Sequence, residues 1–285
     1  VMDRDATARN KLEWGKSRQA WDGDLSTHHN EALYRWVTGV GIERLVSDTD
    51  TVLSQKLKFG RAQDSPRIDR FYFLEFDRSA RTTDLSRSES TAYSANMNWS
   101  WRDVDNPLLP TEGWTLALQT GGGTARASSG ISGGFARAYA RLTGYLPLGD
   151  RWYSQARVEV GQVAAPGGLE VPESLRFRAG GDDSVRGYGY RTLGPTVDGV
   201  VGSGNALMTA SVELARPFVD SMPSLWGAVF VDAGNATENF KDYKPYVGSG
   251  VGLRWRSPVG PLRLDLAWAH QLRHARLHFS VGIVF

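Results

Sequence analysis

The strongest constraint in this chain is a two-residue alternation of apolar and polar side chains that recurs in segment after segment. The final ten residues, Arg276 to Phe285, show it plainly. Leu277, Phe279, Val281, Ile283 and Phe285 fall on every second position, opposite His278, Ser280, Gly282 and Val284. Alternate side chains of a strand point to opposite faces, so these five make one continuous apolar stripe. An apolar stripe that ends on a terminal aromatic reads as a membrane-exposed strand, and such a strand must be the edge at which a barrel closes.

The same period appears upstream. Tyr93, Ala95, Met97, Trp99 and Trp101 alternate with Ser94, Asn96, Asn98, Ser100 and Arg102. Ala136, Ala138, Ala140 and Leu142 oppose Arg137, Tyr139, Arg141 and Thr143. Val251, Leu253 and Trp255 oppose Gly250, Gly252, Arg254 and Arg256, and Leu262, Leu264, Leu266 and Trp268 oppose Arg263, Asp265 and Ala267. Arginine rows behind aliphatic rows fit a polar lumen inside a lipid-facing wall. A soluble sandwich would put the arginines in water and the aliphatics against a second sheet, and periodicity alone does not separate the two. Composition leans toward the barrel. The chain has 31 aromatic residues (10 Trp, 10 Tyr, 11 Phe) and 32 Gly in 285 residues, but no apolar run of about 18 residues that could form a transmembrane helix. Only half of each barrel strand must be apolar, so a mean hydropathy of -0.36 is compatible with a membrane protein. The absence of cysteine excludes a disulfide framework or Cys-based zinc site. A net charge of +2 gives no nucleic-acid footprint.

Connections alternate in character along the chain. Pro147 to Asp150 and Pro258 to Pro261 read as tight turns. Gly121 to Ser132, Asn235 to Lys244 and Pro166 to Gly204 read as longer polar loops on the opposite side, and Thr82 to Thr91 also reads as a loop. Transmembrane barrels have short periplasmic turns and long external loops, which puts Phe285 on the short-turn side. The count is about twelve or thirteen strands, with Asp3 to Arg18 and Thr51 to Gly60 the least marked.

Within the longest loop lies Gly180-Gly-Asp-Asp-Ser-Val-Arg-Gly-Tyr-Gly-Tyr190. Here the chain resembles the BamA/TamA superfamily of outer-membrane assembly barrels, whose sixth external loop carries a Val-Arg-Gly-Phe/Tyr signature. Val185, Arg186, Gly187 and Tyr188 match it. Leu175 to Gly181, Trp226 to Asn235 and Gly250 to Asp265 are also similar, and the last block is most similar to the TamA branch. The resemblance implies an all-β, transmembrane antiparallel β-barrel of sixteen strands behind periplasmic polypeptide-transport-associated (POTRA) domains. Residues 1–285 would then be the barrel domain alone, with leading strands and POTRA domains missing.

The resemblance also implies that the loop folds into the lumen and that Arg186 pairs with acids on the wall. The matching positions are Glu213 and Asp232. Strand parity agrees for Glu213, which shares a face with Asn205, Thr209 and Ser211. Asp232 shares its face with Trp226, Ala228 and Phe230, so alternation does not orient it, but an unpaired carboxylate facing lipid is costly. Tyr188 is expected to pack against the lumen wall. In the family the terminal strand is an assembly signal and a seam, here Leu277, Phe279, Val281, Gly282, Ile283 and Phe285. Gly282 interrupts the side-chain row.

The implied function is insertion or translocation of autotransporters and other unfolded β-barrel substrates at a lateral seam in the outer-membrane lipid of a Gram-negative cell. No catalytic residue, cofactor or metal is called for. A periplasm-spanning, TamB-like inner-membrane partner would act through the absent N-terminal domains. Alternatives are a two-partner secretion transporter, the core barrel-assembly subunit and, in another class, a passive porin. Enzyme signals are poor. Gly130-Ile-Ser132-Gly-Gly134 fits a nucleophile-elbow pattern but has no helix after it. Gly15-Lys16-Ser17 lacks the leading glycine of a phosphate loop. His270, His274 and His278 have helical spacing in a strand hairpin and do not converge.

Overall fold

A computed structural model of the chain describes residues 6–15, 18–30, 32–46, 50–84, 86–149, 151–197, 199–257 and 260–281. Among these residues, fourteen strands form one antiparallel sheet in chain order. They are β1 (Ala6–Trp14), β2 (Arg18–Thr27), β3 (Tyr34–Val46), β4 (Thr51–Gln63), β5 (Ile68–Thr82), β6 (Arg87–Val104), β7 (Gly113–Ala127), β8 (Ser132–Pro147), β9 (Tyr153–Ala164), β12 (Ala206–Pro217), β13 (Leu225–Thr237), β14 (Tyr246–Ser257), β15 (Gly260–Ala269) and β16 (His274–Val281). A small ribbon, β10 (Thr196–Val197) with β11 (Val200–Val201), sits inside the long connection between β9 and β12. The only helical turn among the described residues is Phe240–Asp242. Pairing every backbone group within a sheet is what a chain must do to cross hydrocarbon without helices.

The sheet is curled around the β9–β12 connection, because side chains from both of its flanks reach that one segment. Arg81 on β5, Arg137 on β8, Arg157 on β9 and His278 on β16 all hydrogen-bond to residues between 175 and 201. The apolar core therefore lies inside the curl. Val171, Leu175, Phe177, Ala179, Val185, Tyr188 and Leu193 of the loop pack on Ala92, Ala125, Phe135, Val163, Leu207, Ala236 and Ala269 of the wall. Phe177 fits because Gly161 on β9 has no side chain: a Cβ there would overlap the ring. Outward positions are apolar and uncovered, as on β13, where Val229 and Val231 alternate with buried Ala228, Phe230 and Asp232. On β16, Leu277 and Phe279 are 64% and 65% exposed, as a lipid-facing stripe requires. Among the described residues, the first and last strands, β1 and β16, are each hydrogen-bonded on one side only.

Several expectations change. The sheet has fourteen strands among the described residues rather than twelve or thirteen, and the poorly marked segments are β1 and β4. β1 is exposed on both faces, so burial imposed little alternation on it, and Gln55 interrupts the outward apolar row of β4. Gly121 to Ala127 and Arg87 to Thr91 are strand, not loop. The glycines there serve close approach inside the sheet: a Cβ on Gly123 would overlap the carbonyl oxygen of Tyr93 on β6. Consequently most connections on the loop side are short, 83–86 and 128–131 among them, and only those at 165–205 and 238–245 are long. Asp150, residues 258–259, and the seam residues Gly282, Ile283 and Phe285 lie outside the described residues.

Candidate functional site

Arg186 is carried into the lumen by the long loop and is almost fully buried against β12, β13 and β15. Its Nε and Nη2 donate to the two oxygens of Asp232 at 2.7 and 2.9 Å, and its backbone N–H donates to Asp232 Oδ2 at 3.0 Å. Nη1 donates to Glu213 Oε2 at 2.8 Å and lies 3.4 Å from Asp265 Oδ2. Such a planar fork matches a carboxylate through two parallel charge-assisted bonds. Beneath the guanidinium, 3.4 Å from its carbon, lies the ring of Phe230, a cation–π contact of the desolvated, stronger kind. Ser211 Oγ donates to Asp232 Oδ1 at 2.6 Å.

A second arginine completes the cluster. Arg254 on β14 donates from Nε and Nη2 to Glu213 at 2.8 and 2.7 Å, and its Nη1 pairs with Asp265 Oδ1 at 2.7 Å. Two guanidiniums thus share three carboxylates in a site screened from water. Removing one cation would leave buried acids facing one another. On the short-turn side, the cluster borders a cavity of about 260 Å³ lined by Tyr145, Tyr153, Trp226, Arg254 and Arg256. The β6–β7 turn covers it: Arg256 Nη2 donates to the Leu109 carbonyl at 2.5 Å.

Neighbours of Arg186 are held as closely. Val185 and Tyr188 are fully buried. The Tyr188 hydroxyl donates to the Gln271 side-chain oxygen, accepts from the Gln271 N–H at 3.3 Å, and its ring meets Tyr246 edge-on at 5.4 Å. Gly187 has φ +94°, and its N–H donates to His278 Nε2 on β16 at 2.9 Å. Any Cβ there would press on the β15 backbone at Trp268 and Ala269. Opposite it, Gly248 on β14 lies so close that a Cβ would overlap the Arg186 carbonyl oxygen. Gly248 is thus the bare floor on which the loop motif rests. Arg141 and Arg157 donate to the carbonyls of Asp183 and Ser184 at 3.1 and 2.9 Å, holding the approach to the motif.

The structure brings Glu213 and Asp232 together on Arg186, and it resolves the ambiguous face of Asp232. Ala228, Phe230 and Asp232 all point inward, because Phe230 serves the guanidinium rather than lipid. Asp265 and Arg254 are equal members that sequence reasoning left out, although both stand on the polar side of their alternation. Leu277, Phe279 and Val281 face away from the cluster, and β16 reaches it through His278. Ser132 opens strand β8, with no helix after it. His270 contacts Ser249 at 2.9 Å while His278 serves Gly187, so the two rings have separate partners. Among the described residues, no group of three or more His, Asp or Glu side chains could hold a metal ion.

Comparison with known proteins agrees with this architecture. The Omp85 superfamily domain model matches residues 13–285. The outer membrane protein assembly factor BamA of Nitratidesulfovibrio vulgaris is 26% identical over 281 residues, covering 93% of this chain and 35% of that protein. The chain thus spans about a third of that relative's length. Among solved structures, BamA from Haemophilus ducreyi lacking POTRA domains 1-3 superposes with a TM-score of 0.75 at 17% identity, over 98% of this chain and 64% of that one. CdiB from Acinetobacter baumannii superposes with a TM-score of 0.58 at 16% identity, over 93% of this chain and 50% of that one.

Proposed function

Because the chain belongs to the Omp85 superfamily, we propose that it is an insertion and translocation factor for β-rich polypeptides. It is a β-barrel protein of the bacterial outer membrane. The single observation that carries the reading is the loop motif locked in the lumen by Arg186 on Glu213, Asp232 and Asp265. A pore for passive flux gains nothing from a loop arginine buried among four charged residues of the wall, whereas a wall that must open and reclose needs a fixed internal support. Substrates would be unfolded autotransporter or other barrel chains, guided to the edge of β16. There, on the side where no described strand pairs with β16, backbone N–H and C=O groups would template an incoming strand. The driving force would be strand pairing and burial of apolar side chains in lipid, with no catalytic residue and no cofactor.

Within the superfamily we place the chain on the TamA side, on the block from Gly250 to Asp265, whose Arg254 and Asp265 belong to the cluster. Residues 1–285 supply the barrel, and Leu277, Phe279, Val281, Gly282, Ile283 and Phe285 supply the seam strand and assembly signal. A TamB-like inner-membrane partner would be met through POTRA domains, not through the barrel. The fold shared with CdiB keeps a second reading, a two-partner secretion transporter, in view.

The test is reconstitution of the chain into lipid vesicles, followed by addition of a urea-unfolded autotransporter β-domain. Folding of the substrate, read by its heat-modifiable gel mobility, is expected to be faster than in empty vesicles and slower with Arg186→Ala. Equal rates in loaded and empty vesicles would sink the reading. Release of a soluble polypeptide across the vesicle wall would favour the secretion transporter, and steady conductance indifferent to Arg186→Ala would favour a porin.

A further inference from the structure

The long loop is tied to a second wall, far along the sheet from the Arg186 cluster. Arg178, with its side chain only 4% exposed, donates from Nη2 to Asp50 Oδ2 at 3.1 Å and from Nε to Ser203 Oγ at 3.0 Å. Asp50, in the β3–β4 connection, also accepts from Arg81 Nε of β5 at 2.9 Å. Glu173 pairs with Arg178 at 3.4 Å, lies 3.8 Å from Arg81 and accepts from Ser203. Arg81 Nη2 donates to the Val201 carbonyl of the ribbon at 3.3 Å. Beside this network, Ser174 donates to Asp77 of β5 at 2.8 Å. Near the strand edge, Arg18 of β2 stands 6.0 Å from the Tyr190 ring. So Glu173, Ser174, Arg178, Tyr190, Val201 and Ser203 face β2 to β5, while Arg186, Gly187 and Tyr188 grip β12 to β16.

These two flanks carry the first and last of the described strands. β1 and β16 each have one hydrogen-bonded neighbour, so backbone pairing among the described strands does not join the flanks directly. The loop joins them. We propose that Arg178, with Glu173, Asp50 and Arg81, is a second anchor that makes the loop a strut across the lumen, and that the strut sets the spacing between the two edges. Arg178 and Asp50 are positioning residues in this scheme. Breaking their pair removes the buried ionic tie and loosens the β2–β5 flank, which then keeps the weaker Arg81–Val201 and Ser174–Asp77 contacts, while the Arg186 cluster stays intact. The strut is a property of the barrel itself and does not depend on what the barrel transports.

The natural chain has no cysteine, so two introduced thiols give a clean spin-label pair. Leu25→Cys on β2 and Leu277→Cys on β16 place labels on exposed outward positions of the two flanks. In the otherwise unchanged, detergent-solubilised full chain, pulsed electron resonance is expected to give one narrow distance peak. With Arg178→Gln, or with the near-isosteric Asp50→Asn, that peak should broaden and move to longer distance. A narrow, unshifted peak in either folded variant overturns the strut. Should both variants fail to reach the heat-modifiable folded form, the unlabelled chains are re-examined with Ser79→Cys and Ser174→Cys, whose parent hydroxyls lie 3.5 Å apart. A disulfide there replaces the tie. Recovery of folding on oxidation supports the strut, and failure to recover overturns it.

Discussion

The two anchors of the lumen loop differ in what their partners are built from. At the β12–β15 wall, every group that Arg186 binds sits on a regular strand: Glu213 and Ser211 on β12, Asp232 and Phe230 on β13, Asp265 on β15. At the β3–β5 wall, Arg178 meets Asp50 from a connection and Glu173 and Ser203 from the loop itself; only Arg81 comes from a strand. A sheet positions the first anchor before the loop arrives. The second is assembled by the loop as it docks. The first anchor should therefore dominate stability and the second should govern movement.

The sharpest way to break that comparison is Arg186→Ala. It strips one of two cations from three buried carboxylates, leaving Arg254 to serve Glu213 and Asp265 while Asp232 loses its cation and keeps only the Ser211 hydroxyl and the backbone N–H of residue 186. Breaking a buried pair by removing one partner costs about 3–5 kcal/mol. The expected result is a large fall in the urea midpoint of the lipid-embedded barrel, or loss of its heat-modifiable form. Arg178→Gln should lower the midpoint less. Equal effects of the two substitutions would erase the distinction between the walls.

Next in size is Gly248→Ala. The added Cβ would overlap the Arg186 carbonyl oxygen, and neither backbone can yield without shifting β14 or the motif. Forcing an extra methyl into a packed site costs about 1–3 kcal/mol. Gly144→Ala on β8 meets open space and serves as the control, expected to leave the midpoint unchanged.

The difference between the walls also explains what was legible in the sequence. Parity finds residues that a strand has already aimed. Alternation marked the inward side of β12, β14 and β15 correctly, and the loop motif pointed to Arg186, Glu213 and Asp232. The same parity placed Asp265 and Arg254 inward, so their membership was readable and was missed only because no motif named them. Phe230 hid the orientation of Asp232, since an aromatic on the inward face looks like a lipid contact until a cation is known to sit on it. Nothing comparable exists for Asp50 or Ser203. Both lie in connections, where side-chain direction follows no period, and their meeting with Arg178 spans 128 residues in one case. The glycine-rich end of β7 failed for a related reason. Gly121 and Gly123 read as loop by composition, yet they are strand residues that let β6 come close.

A milder intervention sharpens the comparison from the other side. Oxidising the Ser79→Cys, Ser174→Cys pair should cross-link β5 to the loop without disturbing the Arg186 cluster. Stability is expected to rise modestly. Substrate folding in reconstituted vesicles should fall and return on reduction, because a welded second anchor cannot release. Undiminished folding in the oxidised form would separate the second anchor from function altogether.

The smallest effect concerns the turn that covers the short-turn mouth, which neither Arg186 nor Arg178 touches. Asp105 opens the β6–β7 turn, and its carboxylate accepts from the Thr111 N–H at 2.8 Å, the Thr111 hydroxyl at 2.6 Å and the Glu112 N–H at 3.1 Å. Slight burial pushes the carboxyl upward, but these donors outweigh it and hold the carboxyl down at about 2. A folded-state value below the unfolded one means that the turn gains stability above about pH 4 and loses it as pH falls through about 2. Pepsin can read this directly, since Leu108 and Leu109 are carried on the same turn. Nicking of the wild-type turn should increase between pH 4 and pH 2 relative to Asp105→Ala, which should be nicked readily at both. Because Arg256 binds the Leu109 carbonyl, the cavity beneath the turn should open with the same pH dependence while both lumen anchors hold. If wild type and Asp105→Ala are cut alike at pH 4, the carboxylate is not what keeps the mouth covered, and the Arg256 contact must do so alone.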